Sequence, residues 1–482
     1  MRLWLSFIVV AIIALFDSSY AVAYAANASF NNHLTRMIQS NLPDATVGVI
    51  LQDANSGEIL YSYNGNKLFL PASTTKLFTA AAALKLLGPN YHYNTSLFYN
   101  PAALKFGMHH GDVGLQFSGD PSLESTTLHS LLQKLSNAKI TVINGDLIID
   151  DSIYTGPLLG LGWTCDSAAW YHSAPVAAII IDRNQFGVTL FPVPKAGDKV
   201  NARLEKEYLG SKFRTLHSDI IAATFEDSET ICQISALVDD NNNVNIGGCW
   251  PVGTQPVHLR LAIKNPRVQA QQLVKDDLDK LKIKLTGKIK FATIPDNLTK
   301  LAHHSSEPLH ALLKPILSES NNLYAETLTK TLGSKLFATG SFKTGSAAVQ
   351  QILSEMTGID FSQTRILDGS GESRYNLVTP VHLSRLLYTM QQQPNLKGHF
   401  RNALAMSGFN GSLKNRFTSV TNAANIQAKT GTLNGVSTLA GYFTTHTKRE
   451  LIVTIMINHA LESTVLLKQF EEDLCAFVIA EL

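Results

Sequence analysis

Strand-forming stretches gather at the two ends of this chain. Near the start, Thr46–Gln52 and Glu58–Tyr63 flank the turn Asn55-Ser56-Gly57, the pattern of β-branched and aromatic runs bounded by turn formers that marks a hairpin. Near the end, Asn425–Lys429, the turn Asn434-Gly435, Val436–Thr444 and Glu450–Asn458 repeat the pattern before a last stretch, Ser463 to Leu482, that reads as a docked helix. A lone hairpin buries too little to stand by itself. The simplest closure is one antiparallel sheet flanked by helices, in which the N-terminal hairpin joins the C-terminal strands. The intervening chain must then leave this sheet and return to it.

After Pro71-Ala72 comes Ser73-Thr74-Thr75-Lys76 and then Leu77 to Leu87, rich in Ala and Leu and closed by Gly88-Pro89. Such a run predicts a helix with Ser73 at its N-terminus. The next segments change character. Val113–Gly119 and Thr141–Asp150 read as strands around a helix at Leu128–Leu135, and 184–253 is rich in Val, Ile, Thr, Asn and Gly with little helical period. Helical patterning returns at Val268–Leu281 and again from Pro308 through Leu336, with Ser305 and Ser306 as expected caps. The expected fold class is multidomain α/β. Its expected parts are a leader 1–25, a catalytic domain split between 26–90 and 297–482, an inserted α/β domain in 91–182 and 258–296, and a β-rich domain in 183–257.

Composition excludes several classes. The 482 residues carry 40 Lys and Arg against 38 Asp and Glu, a formal net charge of +2, with 45% hydrophobic residues. Disorder is ruled out, and a nucleic-acid binder would carry a basic excess. Arg2 precedes the apolar run Leu3 to Phe16, which is too short to span a bilayer and is followed by Ala21-Val22-Ala23-Tyr24-Ala25-Ala26, so a cleaved secretory leader is expected. No later stretch is apolar and long enough to cross a membrane. The cysteines, Cys165, Cys232, Cys249 and Cys475, form no Cys-x-x-Cys pair, so no local zinc or thioredoxin-type site is expected. Export permits disulfides. Cys232 and Cys249 flank the turn-rich Asp239 to Asn243, where a cross-hairpin bridge and buried thiols both fit, since four cysteines allow three pairings. His109-His110 and His303-His304 are adjacent rather than four apart, so solvated loop histidines are expected and no metal. Asn410-Gly411-Ser412 is a formal glycosylation sequon, with no use expected on a bacterial-type exported chain.

The motifs with chemical content are short and each occurs twice. Ser-x-x-Lys occurs at Ser73/Lys76 and Ser136/Lys139, Ser-x-Asn at Ser29/Asn31 and Ser320/Asn322, and Lys-Thr-Gly at 343–345 and 429–431. A serine can be made nucleophilic by a lysine one helical turn away if that lysine loses its proton in an enclosed site. Ser73 and Lys76 share a helix face beside N-terminal backbone N–H groups, whereas Ser136/Lys139 is expected in a polar connection. Ser320 and Asn322 can supply a relay hydroxyl and a carboxamide, while Ser29/Asn31 belong to the solvated new N-terminus. Lys429, Thr430 and Gly431 end a predicted strand where a substrate backbone can lie alongside. Lys343-Thr344-Gly345 is expected in a Gly/Ser-rich link before a helix.

In this order the three motifs resemble the penicillin-binding protein and serine β-lactamase superfamily. The long gap from Ser73 to Ser320 resembles the low-molecular-weight, class C D-alanyl-D-alanine carboxypeptidase/endopeptidase family, with two domains inserted between the first and second motifs. Similar strings are Gly119-Asp120-Pro121, 145–151, Ser173-Ala174-Pro175 with Asp182-Arg183-Asn184, Asp368-Gly369-Ser370-Gly371 with Ser373-Arg374-Tyr375-Asn376, and Gly411-Ser412-Leu413. The resemblance implies Ser73 as acylated nucleophile, Lys76 as its base and Ser320 as proton relay. Asn322 would hold the substrate amide, Lys429, Thr430 and Thr432 would receive the terminal carboxylate with the substrate backbone alongside Gly431, and the backbone N–H groups of Ser73 and Thr432 would form the oxyanion hole. No cofactor is implied. The implied partners are peptidoglycan stem peptides and crosslinks, with β-lactams as covalent inhibitors, in the periplasm, soluble or loosely membrane-associated; a homodimer is left open.

Departures from the family pattern are specific. Asn321 replaces the usual central acid of Ser-Asp-Asn, at a position whose side chain should point away from substrate. The acid and arginine that read the diaminopimelate end of the peptide correspond to Asp166, one residue out of register with Ser167 in the matching place, and to Arg374. Glu372 stands where relatives usually carry an apolar residue, and four residues before Asn376 it resembles the deacylating Glu/Asn pair of class A β-lactamases; a solvated or Arg374-paired acid is the plainer expectation. A β-lactamase and a non-catalytic peptidoglycan-binding scaffold are the alternatives to the peptidase.

Overall fold

The structure, a computed structural model, describes residues 28–205, 212–224, 226, 232–253, 255–418 and 426–482. The expected leader, 1–25, lies outside the described residues. The chain divides into two compact units, one of residues up to Pro71 with Leu377–Gln391 and Ala405–Leu482, the other Ala72–Asn376 with Gln392–Leu404.

The first unit is built on a six-stranded antiparallel sheet. Its order is Ala405–Met406, Ile426–Leu433, Val436–Thr444, Glu450–Asn458, Thr46–Asp53, Ile59–Tyr63. The two ends of the chain meet as expected: Thr46 pairs with Asn458 and Asp53 with Leu451. Alternation along the strands decides the faces. Val47, Val49, Leu51, Leu439, Val453 and Ile455 pack with Leu34 and Ile38 of helix 28–41 and with Phe470, Leu474 and Val478 of helix Thr464–Glu481. The other face carries helix Pro380–Gln391, fixed by Ser384 to Gln52 and by Tyr442 to the Leu387 carbonyl. Ser29 and Asn31 thus lie in a helix.

The second unit combines helices with small sheets. Helix Thr75–Leu87 is buried over Thr75–Leu84, as an apolar-all-round helix must be, and packs against helices Leu309–Leu317, Asn322–Phe337 and Phe342–Thr357. A five-stranded sheet of Ile289–Phe291, Leu147–Asp150, Val113–Gln116, Asn94–Tyr99 and Thr299–Ser305 shares a core with helices Ser125–Asn137 and Pro266–Lys280. Two three-stranded sheets enclose the β-rich core around Val188, Ile220 and Leu261, and strand Val257–Ala262 pairs there with Gln185–Phe191. A disulfide joins Cys232 to Cys249; Cys165 is exposed and Cys475 buried as free thiols.

Several local expectations are corrected. The stretch 141–150 is two strands in different sheets, Val142–Ile143 and Leu147–Asp150, separated at Asn144 to Asp146. Helix Leu309–Leu317 is preceded by Pro308 rather than capped by Ser305 or Ser306; Ser305 ends a strand, and Ser306 Oγ accepts from Tyr93 N instead. Lys343-Thr344-Gly345 lies inside the first turn of helix Phe342–Thr357, where Ser341 and Thr344 form a capping box. Its Gly345 is needed for close helix packing, because a Cβ there would lie 2.3 Å from the Thr329 carbonyl oxygen. His109 is not solvated: it is fully buried on strand Met108–His109, with Nδ1 3.0 Å from the Gly111 carbonyl. His303 and His304 lie on strand Thr299–Ser305 rather than in a loop. Ser136 lies in the last turn of helix Ser125–Asn137, and only Lys139 lies in the connection after it.

Candidate active site

In the second unit, Ser73 occupies the single 3-10 turn Ala72–Thr74 that runs into helix Thr75–Leu87. Lys76 follows in the first turn of that helix and is fully buried. Its Nζ lies 2.8 Å from Ser73 Oγ, 2.6 Å from Asn322 Oδ1 and 2.8 Å from the Ser370 carbonyl oxygen. Burial pulls its pKa down to about 8, against the opposing pull of the Glu326, Asp368 and Glu372 charges. A neutral amine has two hydrogens and one lone pair. Two donated bonds to Asn322 and Ser370 leave that lone pair for Ser73, the arrangement a general base requires.

The second motif enters from the helix Asn322–Phe337. Ser320 has a positive φ of 61°, and Asn321 caps the helix by accepting from Tyr324 N. Asn and Asp are comparable caps, so the replacement of the usual acid keeps this function. Asn322 is buried and both ends of its amide are engaged: Oδ1 accepts from Lys76, while Nδ2 donates to the His172 carbonyl at 2.9 Å and to Glu372 Oε2 at 3.0 Å.

One turn along the same helix, Glu326 accepts from the backbone N–H groups of Gly369 and Ser370, and burial followed by the Asp368 charge raises its pKa to about 8. Asp368 accepts from Gly371 N, Ser373 N, Asn376 Nδ2 and Trp163 Nε1. These two acids shape the 368–376 loop. Sequence reasoning missed both, although Glu326 lies four residues from Asn322 on a helix and so shares its face, and Asp368 opens the quoted Asp-Gly-Ser-Gly string.

Glu372 is the main correction in this unit. It is half-buried and faces Asn322, and its Oε1 lies 3.4 Å from the Ser173 hydroxyl, which also bonds Ser167 Oγ. Neither a solvated acid nor an Arg374 pair describes it. Ser167 is buried, whereas Asp166 is exposed in the 3-10 turn Cys165–Ser167. The Thr164 hydroxyl holds the Asp166 carboxyl below its usual range, with a smaller pull from the Arg374 charge. Arg374 is half-buried, its backbone N–H bonded to the Gly162 carbonyl.

The third motif belongs to the first unit. Lys429, Thr430, Gly431 and Thr432 lie on strand Ile426–Leu433, opposite Ala440, Leu439, Thr438 and Ser437. Lys429 is fully buried with Nζ 2.6 Å from the Thr430 carbonyl, Thr430 Oγ1 donates to Ser412 Oγ, and Thr432 is exposed. The neighbouring strand Ala405–Met406 pairs only with Ala428 and Gln427. Beyond that point no strand covers this edge among the described residues, leaving backbone positions an extended peptide can address. No group of acidic, histidine and cysteine side chains suited to a metal occurs among the described residues.

Comparison with known proteins shows the family and the fold. The family model of the D-Ala-D-Ala carboxypeptidase 3 (S13) family matches residues 28–476, and the chain belongs to that penicillin-binding DD-carboxypeptidase family. It is similar to the D-alanyl-D-alanine carboxypeptidase DacB of Haemophilus influenzae, with 31% identity over 74% of each chain. The crystal structure of penicillin binding protein 4 (dacB) from Haemophilus influenzae superposes with a TM-score of 0.81 at 31% identity, covering 92% of this chain and 98% of that one. That protein complexed with a novel β-lactam gives 0.79 at 29% identity, covering 92% and 99%. The multidomain α/β fold with a catalytic domain of the penicillin-binding type is thereby established.

The 368–376 loop can take only glycine at 371. Its φ is +84°, and a Cβ would lie 1.7 Å from the Ala72 carbonyl oxygen, next to Ser73. Gly371→Ala should cost about 2–4 kcal/mol in a denaturant titration and shift the Ala72–Ser73 backbone. Gly398→Ala, in a helix with open space around the new methyl, should leave both unchanged or gain up to about 1 kcal/mol of stability.

Proposed function

We propose that this carboxypeptidase is a serine enzyme that cleaves the terminal D-Ala-D-Ala bond of peptidoglycan stem peptides, and D-Ala–diaminopimelate crosslinks, through an acyl-enzyme on Ser73. The observation that carries this reading is the buried Lys76 amine, 2.8 Å from Ser73 Oγ with its remaining hydrogens directed at Asn322 and Ser370. Lys76 takes the Ser73 proton as Oγ adds to the penultimate D-alanine carbonyl. The backbone N–H groups of Ser73 and Thr432 receive the oxyanion. Ser320 passes a proton to the departing D-alanine amine, or to the side-chain amine of a crosslink, and water then reverses the sequence to free the enzyme. Asn322 orients Lys76 and the substrate amide, while Lys429, Thr430 and Thr432 receive the terminal carboxylate beside Gly431.

A β-lactam presents an acyl carbon and a carboxylate in similar relation, which supports covalent inhibition; the Haemophilus influenzae relative is known as a complex with one. The leader-like N-terminus supports export to the periplasm, and no helix among the described residues is long and apolar enough to cross a membrane. Residues 91–296 we read as the two inserted domains. Fluorescent penicillin should label the wild type and not Ser73→Ala. Lys429→Ala should slow labelling by about two orders of magnitude, while Lys343→Ala, exposed on a helix, should change it less than about twofold. An unlabelled wild type would refute the serine mechanism, and the reverse ranking would refute the choice of motif.

Arg374, whose charge acts on Asp166, supports recognition of a carboxylate on the diaminopimelate side chain. Arg374→Ala should slow muropeptide turnover about tenfold with little effect on penicillin acylation; equal losses would mark a role in holding the loop.

The β-lactamase alternative would need Glu372 to activate a deacylating water. Its oxygens instead meet Asn322 and Ser173, which supports a slowly released penicilloyl-enzyme. The adduct should persist for minutes in wild type and Glu372→Gln alike; fast release in the wild type that the substitution abolishes would favour the lactamase.

A further inference from the structure

Asn322 has two amide hydrogens, and both are engaged, one by the His172 carbonyl and one by Glu372 Oε2. A carboxylate accepts and cannot donate. With Glu372 on one side, the Asn322 amide has one stable orientation, nitrogen toward Glu372 and oxygen toward Lys76. A leucine at 372 would leave that end of the amide to the His172 carbonyl alone.

The acid also contributes charge. Among the described residues three acids act on Lys76: Glu326 from helix Asn322–Phe337, its own pKa raised to about 8 by burial, and Asp368 and Glu372 from the loop. Glu326 and Asp368 are tied into the loop backbone by the hydrogen bonds described above. Lys330 lies one turn beyond Glu326, its Nζ held by the Pro157 and Val176 carbonyls. Arg374, two residues after Glu372, acts on Asp166, and the His172 ring stacks edge-on against Tyr171. Glu372 therefore joins the Lys76 environment through Asn322.

We infer that Glu372 is a positioning residue for the acylation step, locking the Asn322 carboxamide with its oxygen toward Lys76 and adding its negative charge to the surroundings of that amine. This rests on the reading of Ser73 and Lys76 as nucleophile and base. The sign follows from charge: a nearby carboxylate stabilises the ammonium, so Glu372 raises the pH needed to free the amine, and removing it lowers that pH.

The test is the pH profile of the second-order rate of labelling by a fluorescent penicillin, for wild type, Glu372→Gln and Glu372→Leu. The wild-type rate should rise with a limb near pH 8, where burial places the Lys76 pKa. In both variants the limb should move to lower pH. Glu372→Gln retains an acceptor for Asn322 and should keep its plateau within about threefold; Glu372→Leu loses the lock and should drop about tenfold. A limb that stays in place in Glu372→Gln overturns the inference whatever happens to the plateau, because a merely structural acid changes amplitude and not ionisation. A wild type that takes no label overturns the serine mechanism as well, so the two failures are distinct.

Discussion

A lysine amine held out of water beside a serine hydroxyl is the constraint on which the second unit depends. Enclosing Lys76 takes the full circumference of a helix, and Thr75–Leu84 is accordingly buried among three other helices. That enclosure favours the neutral amine, while nearby carboxylates favour the ammonium. The two effects oppose each other, and their balance sets the fraction of Lys76 present as the neutral amine. A fully hydrated lysine would be almost entirely protonated near neutrality. A buried lysine without carboxylates would keep its base form but lose the charges that organise the surrounding loop.

The 368–376 loop is the other half of that balance. Glu326 and Asp368 each neutralise backbone N–H groups that a tight loop would otherwise leave unpaired. Gly371 lets the loop pass against the Ala72 carbonyl, and the Thr79 hydroxyl bonds the Gly369 carbonyl. The loop thus reaches Lys76 with a carbonyl, that of Ser370, rather than with a side chain. A carbonyl position is fixed by backbone geometry and is insensitive to rotamer choice, so one hydrogen of the amine has a constant direction.

Patterns carried by neighbouring residues were legible in the sequence; properties created by distant ones were not. The hairpin, the closing strands and the Ser73–Lys76 helix all have local period and turn signals, and they lie where those signals put them. Ser306 looked like a cap because it precedes a helix, yet the hydroxyl serves Tyr93 N, a partner more than two hundred residues away in sequence. His109 looked solvated beside His110, but strand pairing turns it inward. Both Lys-Thr-Gly strings have the same letters. Only the sheet gives 429–431 a strand edge that no other strand covers among the described residues, whereas at 343–345 a capping box and a glycine contact use the same letters to start and pack a helix.

Glu372 shows the same limit at the site itself. In sequence it sits among small polar residues two positions from Arg374, where local charge pairing is the natural expectation. Folding instead brings it to Asn322, fifty residues away, because the Asp368 bonds to Gly371 N and Ser373 N turn the backbone on either side of it. A half-buried carboxylate persists only where hydrogen bonds offset its lost hydration. Here the Asn322 amide supplies one, and the Ser173 hydroxyl, whose single hydrogen is shared with Ser167 Oγ, lies 3.4 Å away. The same bonds that make the acid tolerable tie it to the residue that orients Lys76, so stabilising Glu372 in the fold and coupling it to Lys76 are one physical arrangement.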